Sequence, residues 1–178
     1  MVAGYRPVLP AVDNGAGTVA VSDSANGSLI YRDNTAVGSS LIGQSFSRAG
    51  YFQGRPSATS DAPYNALASG GSNLAASNPA LDKQFGERAT HWHQLVGNQQ
   101  LVPAELLTAS GSGLDPQISP GAARYQALYI AQARGMSLQQ VQQLIHCFTE
   151  TSKPAFIGQP AVNVLLLNLA LDKEKPLP

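Results

Sequence analysis

Apolar positions in this chain change spacing several times, and residues that favour helix ends and turns stand where the spacing changes. Between Asn78-Pro79 and Gly97, apolar residues fall at Leu81, Phe85, Ala89, Trp92 and Val96. That recurrence of three to four residues marks one face of a helix. Asparagine is a favoured N-cap, and proline at the first helical position gives up only an N–H that would be orphaned anyway. Gly97 supplies the stop. The same device recurs at Ser119-Pro120, which predicts a helix to about Arg134, ended by Gly135. Ser137 then caps a predicted helix with Leu138, Val141, Leu144, Ile145 and Phe148 on one face and glutamines on the other.

Elsewhere the pattern is shorter. In SLIYRDNTAVGSSLIG, two apolar-rich runs flank Asp33-Asn34. Both turn residues tolerate the required conformation, so the stretch predicts a β-hairpin. Tyr51 to Asn65 holds aromatics, Pro56 and Pro63 without a clean period. It reads as an ordered loop pinned by Tyr51, Phe52 and Tyr64. LVPAELLTA reads as a strand that Pro103 restricts to an edge or a strand start. PAVNVLLLNLAL, rich in Val and Leu, reads as a buried strand. Residues 1–26, with two early prolines and no helical period, read as a poorly ordered N-terminal arm, leaving 27–178 as a single globular domain. The order of strands, helix, strand, two helices and strand predicts an α+β class, a mixed sheet covered by about three helices. No repeat at a fixed period is visible.

Composition narrows the function. A chain of 178 residues buries roughly two-thirds of its unfolded surface, enough for one core. Eleven Lys and Arg balance eleven Asp and Glu, and only 12% of residues are charged. A neutral chain lacks the basic footprint of a nucleic-acid binder. The single cysteine, Cys147, excludes an internal disulfide and a cysteine-based zinc site; it reads as a small, partly buried residue. No stretch approaches about 18 consecutive apolar residues, which predicts no transmembrane helix. The N-terminus has no continuous apolar core and does not read as a signal peptide.

Two Gly/Ser runs, Ser69-Gly70-Gly71-Ser72-Asn73 and Ser110-Gly111-Ser112-Gly113, carry the candidate chemistry. Glycine-rich loops bind phosphate when backbone N–H groups converge at a helix N-terminus. Neither run has the Gly-Lys-Ser/Thr of a Walker loop, and Gly-x-Gly-x-x-Gly is absent. The glycines therefore read first as positive-φ residues of ordered turns, with nucleotide binding at either run as the alternative. A serine hydrolase centred on Ser112, with Asp115 and a distant histidine, is a further alternative. The nucleophile elbow is not formed, because Ser110 stands where the first glycine belongs. His91 and His93 are two apart, a poor spacing for a shared metal on a helix, and read as surface residues flanking a core Trp92. His146 adjoins Cys147, but neighbouring residues on a helix diverge. Asp82-Lys83 and Asp172-Lys173 both lack the Thr-Gly-Thr that completes a P-type phosphorylation loop. Asp82 reads as a solvated acid in a first helical turn.

Several long stretches, in this order, resemble the C subunit of the Kdp-type potassium-transporting P-type ATPase. They are ANGSLI, GSSLIGQSF, YFQGRPSA, PYNALASGGSNLAASNPALDK, VPAELLTASGSGLDPQISPGAA and GQPAVNVLLLNLALDK, spanning Ala25 to Lys173. The resemblance implies a non-catalytic accessory subunit of a high-affinity potassium uptake complex. Its implied partners are a channel-like subunit that conducts potassium and a P-type ATPase subunit that hydrolyses ATP. It implies one N-terminal helix in the cell (inner) membrane and a main domain on the extracytoplasmic face, required for assembly and proposed to assist ATP binding. GYRPVLP resembles the family's start, yet AVDNGAGTVAVSDSANGSLI stands where the hydrophobic helix is expected and cannot span a bilayer. The chain alone is therefore expected to be soluble. A domain on the outer face does not meet cytoplasmic ATP, so any effect on nucleotide affinity would pass through the complex as coupling. The expected functional surface comprises Arg55, Asn65, Ser69, Gly70, Gly71, Ser72, Asn73, Ser110, Gly111, Ser112, Gly113 and Asp115, acting by hydrogen bonding to a partner.

Overall fold

Both residues at the tip of the predicted hairpin, Asp33 and Asn34, have positive φ (50° and 60°), as a tight two-residue turn between twisted strands requires. They join strand β2 (Leu29–Arg32) to strand β3 (Thr35–Ser39), with a bulge between Ile30 and Tyr31. A further strand, β1 (Val19–Val21), pairs antiparallel with β2 and comes from the stretch read as an arm. The computed structural model describes residues 19–21, 27–97, 99–151 and 158–177, so the rest of that arm lies outside the described residues.

Next come helix α1 (Pro79–Val96), the short helix α2 (Ala104–Leu107), strand β4 (Gln117–Ile118), helices α3 (Pro120–Arg134) and α4 (Leu138–Cys147), strands β5 (Thr149–Glu150) and β6 (Ala161–Asn163), and helix α5 (Val164–Glu174). The helix ends follow the local signals. Asn78 Oδ1 accepts the Ala80 N–H at 3.0 Å, and Gly97 leaves α1 at φ 70°. Ser119 Oγ accepts the Ala122 N–H at 3.1 Å, and Gly135 leaves α3 at φ 59°. Ser137 and Gln140 form a reciprocal capping box at the start of α4.

The α+β class holds, but among the described residues the strands form two small antiparallel sheets, β1-β2-β3 and β4-β6-β5. Two segments expected as strands are helical. In LVPAELLTA, residues 104–107 form α2. The buried Val102 and Leu106 are four apart, a helical spacing. Arg88 and Trp92 donate to the carbonyls of Leu107 and Leu106, and Glu105 accepts from the Ser119 N–H and hydroxyl. These contacts between distant residues decide a run too short to decide itself. In PAVNVLLLNLAL, only residues 161–163 are strand. Asn163 turns the chain by capping α5, accepting the Leu166 N–H at 3.1 Å. Val164, Leu167, Asn168 and Leu171 are then buried at helical spacing. Cys147, read as partly buried, is exposed.

The core gathers Phe52, Trp92, Leu106, Ile118, Ile130, Val141, Ile145, Val162, Leu167 and Leu171. The fully buried Ala122, Ala123 and Ala127 let neighbouring elements approach α3 closely. Through this core runs the segment Gly50–Gly54, which belongs to neither sheet. Its buried backbone must still be paired. Asn168 grips Phe52 at both ends: Oδ1 accepts its N–H at 2.8 Å and Nδ2 donates to its carbonyl at 3.0 Å. Gln126 grips Gln53 in the same way, at 2.9 and 3.1 Å. Buried Arg134 donates to Gly50 O at 2.6 Å and to Asp172 at 2.8 Å, and lies 4.8 Å from the centre of the Tyr51 ring. The expectation of an ordered segment pinned by aromatics is met, with side-chain amides doing much of the pinning.

Asn168→Ala removes both partners of the Phe52 peptide groups and should cost about 2–4 kcal/mol in urea unfolding, since each stranded group costs about 1–3 kcal/mol. A loss below about 1 kcal/mol would mean that the grip contributes little.

Candidate functional site

Beyond Gly54 the chain leaves the core and folds on itself through short hydroxyl side chains. Ser57 Oγ accepts the Tyr64 N–H at 2.8 Å and donates to Gly113 O at 2.7 Å. Thr59 Oγ1 accepts the Asn65 N–H at 3.0 Å and donates to Ala62 O at 2.6 Å. The Tyr64 hydroxyl donates to Arg55 O at 2.6 Å, and Tyr64 itself is held at φ 58°. Asn65 spends both ends of its amide locally, donating to Ser60 O and accepting from the Leu67 N–H.

This folded segment supports both Gly/Ser runs and joins them. The Gly70 N–H donates to Ser112 O at 2.9 Å, and the Ser69 hydroxyl donates to the same oxygen at 3.0 Å. Ser110 N–H donates to Pro56 O, and Gly113 N–H donates to Ser110 O. Ser112 Oγ accepts from the Leu114 N–H, closing a tight turn. Asp115 Oδ1 accepts the Gln117 N–H, while its other oxygen meets Arg55 Nη1 at 3.4 Å. Of the twelve residues expected at the site, the structure thus brings Ser69, Gly70 and Gly71 against Ser110, Gly111, Ser112 and Gly113. It pairs Arg55 with Asp115 and sets Asn65 at the base of the segment. Ser72 and Asn73 lie exposed further along the loop, Asn73 at φ 52°.

Glycine is required at some of these positions and not at others. Gly113 has φ 69°, and a Cβ there would stand 2.5 Å from Thr59 Cγ2 and 2.7 Å from Gly70 O. A Cβ on Gly71 would press on Gly111 O at 3.2 Å, whereas Gly70 and Gly111 face open space. Ser57 and Thr59 went unread in the sequence. Their only signal is a pair of hydroxyls two apart after a proline, and their partners lie up to 56 residues away.

The chemistry available is that of shape. The N–H groups of Gly70, Ser110, Gly113 and Leu114 are spent within the protein. Of the run glycines expected at positive φ only Gly113 has it; Gly70, Gly71 and Gly111 do not, because their turns need no left-handed backbone there. The Ser112 hydroxyl serves a turn, and among the described residues no histidine hydrogen-bonds to it; His93 instead meets Gln100 O at 3.2 Å. The hydrolase reading therefore lacks its base. Trp92 is buried between exposed His91 and half-buried His93, and Asp82 is exposed in the first turn of α1, both as expected. Among the described residues no three His, Cys, Asp or Glu are grouped to hold a metal, and no helix is long and apolar enough to cross a membrane. Burial pushes the Tyr64 phenol up to about 12, assisted by the Asp115 charge.

Fold and site together describe an α+β domain whose distinctive surface is built from backbone turns rather than reactive side chains. A family model described as "KdpC: K+-transporting ATPase, c chain" matches residues 5–173. The chain is 88% identical over 154 residues to the "Potassium-transporting ATPase KdpC subunit" of Pectobacterium atrosepticum, covering 86% of this chain and 81% of that one. It is 60% identical over 149 residues to the protein of the same description from Erwinia tasmaniensis, covering 83% and 78%. With that from Serratia proteamaculans it shares 52% over 167 residues, covering 93% and 88%. The chain belongs to the KdpC family, the c chains of the K+-transporting ATPases.

Two predictions follow the geometry of the site. Gly113→Ala should destabilise the domain by at least about 2 kcal/mol, from forced backbone strain and a clash, while Gly111→Ala should stay within about 0.5 kcal/mol of the parent. Equal losses at the two positions, by urea unfolding, would contradict the joined-loop geometry. The second prediction concerns alkaline pH. Between about 10 and about 12 the unfolded Tyr64 phenol ionises while the folded one keeps its proton. The unfolded state then binds fewer protons, so stability falls across that window. Tyr64→Phe removes this share of the loss and leaves the shares of Tyr51 and Tyr125, whose phenols burial also raises. The stability advantage of the parent over Tyr64→Phe should therefore shrink between about pH 9 and about pH 11. An unchanged gap would refute it.

Proposed function

We propose that this chain is an accessory, non-catalytic subunit of an ATP-driven potassium uptake complex, docking through the joined Gly/Ser loops onto the channel-like subunit on the extracytoplasmic face. There it stabilises the assembly of the channel-like and P-type ATPase subunits. One observation carries the reading: two loops about forty residues apart in sequence are bound into a single preorganised surface, with Ser69, Ser72, Asn73, Gly111 and Ser112 exposed on it. A loop already ordered before docking loses less conformational freedom on binding, which favours a partner of fixed shape. The relatives' shared description as subunits of a potassium-transporting ATPase supports a role within a multi-subunit complex. In this reading, an influence on ATP affinity is transmitted through the complex and needs no nucleotide on this domain.

Gly70 provides the test, because a side chain there meets open space and an ordinary φ. Gly70→Trp should fold with parental stability yet reduce capture of the other pump subunits at least about tenfold, a loss of about 1.4 kcal/mol. Normal capture by the folded variant removes these loops from the docking surface.

A further inference from the structure

A second feature lies beside the loops and shares Arg55, Ser57 and Tyr64 with the segment that supports them. Between the segment 44–64 and α1 there is an open cleft of about 410 Å³. That volume is within the ordinary range for ligand clefts, about 300–1,000 Å³. Its lining combines apolar and charged groups. Trp92 and Leu106 are core residues that also line it, 4% and 1% exposed, and Phe46 and Tyr64 add aromatic wall. Arg55 stands on the segment side; Glu87, Arg88 and His91 stand on α1.

The two guanidinium groups set the charge. Arg55 is underused: its contacts, to Asp115, Thr108 Oγ1 and Ala109 O, are 3.4, 3.5 and 3.5 Å, the long limit of a hydrogen bond. Its Nε is buried and has no hydrogen-bond partner among the described residues. A guanidinium offers five N–H donors and is matched to a carboxylate. Arg88 makes one short bond, to Leu107 O at 2.5 Å, and is otherwise available to the cleft. Partial burial lowers its pKa, the mark of a cation short of solvent. The one anion among the described lining residues, Glu87, has Lys83 a turn away at 3.9 Å. Gln44 and Gln53 also line the cleft and bring amide side chains suited to pairing with peptide groups.

We propose that this cleft binds an acidic segment of a partner polypeptide, its carboxylate taken up by Arg55 and Arg88 and its apolar flank by Trp92 and Phe46. The inference rests on the docking reading for the existence of a partner, but its test does not require one. Trp92 is the only tryptophan in the chain, so its fluorescence reports occupancy directly.

The experiment titrates the full chain with acetyl-Phe-Glu-Phe-amide, its Gln analogue, free acetate and ATP. The expected result is a saturable change in Trp92 fluorescence with the Glu peptide and at least about tenfold weaker binding of the Gln analogue, the scale of one charge-assisted hydrogen bond. Arg55→Gln should weaken the Glu peptide by a similar factor. Glu87→Gln alters an exposed side chain that the fold does not need, and should tighten binding by about twofold or more. Equal binding of the Glu and Gln peptides, acetate competing as well as the peptide, a response to ATP alone, or no saturable change would each overturn the proposal. Peptide binding retained in Gly70→Trp, followed by calorimetry because this variant carries a second tryptophan, while subunit capture is lost would separate this cleft from the docking loops. Capture lost in Gly70→Trp together with no saturable peptide binding by the parent chain would contradict the cleft alone.

Discussion

Two side-chain amides hold the backbone of Phe52 and Gln53, and the rest of the domain is arranged around that grip. Among the described residues no strand lies beside residues 50–53 as they cross the core, although Phe52 is fully buried. In a sheet, neighbouring strands would pair their N–H and C=O groups. Here Asn168 of α5 and Gln126 of α3 do so, each presenting a donor and an acceptor to one residue. Arg134 extends the arrangement to Gly50 O, Lys175 O and Asp172. A buried arginine is tolerated because its charge is paired and its donors are occupied. The helices therefore do more than pack: they replace the missing strands.

The surface loops depend on this fixed point. Arg55 begins where the gripped segment ends, and Tyr64 returns to its carbonyl. Ser57 and Thr59 then set the path of residues 57–65, and Gly113 and Gly70 meet across the result. Most polar groups in this sequence of contacts are satisfied internally. What faces outward is a fixed shape with a few hydroxyls and amides, a surface better suited to recognition than to bond-breaking chemistry. The adjoining cleft differs in having two guanidinium groups beside aromatic walls, and so calls for an anion.

Those features written in neighbouring residues were legible in the sequence. Asn78-Pro79 with Gly97, and Ser119-Pro120 with Gly135, bound their helices because caps act within a turn of chain. Asp33-Asn34 marked a hairpin for the same reason. The runs at 101–109 and 160–171 misled because both are short and apolar, and distant partners chose between helix and strand. Asn163 was the overlooked signal: a polar residue within an apolar run that caps a helix. At the site, the turn-forming character of the Gly/Ser runs could be read. Their union could not, because the Gly70–Ser112 bond joins residues with no local relation. Asn168 and Phe52, 116 residues apart, are further still from any local pattern.

Amide hydrogen exchange tests the central claim most directly. If side-chain amides truly replace a strand, the Phe52 N–H should exchange only through global unfolding, with the protection of the buried amides of α3. The Asn168→Ala variant should lose that protection at Phe52 selectively. Exchange of the Phe52 N–H in the parent protein as fast as that of the exposed loop 66–73 would contradict the account.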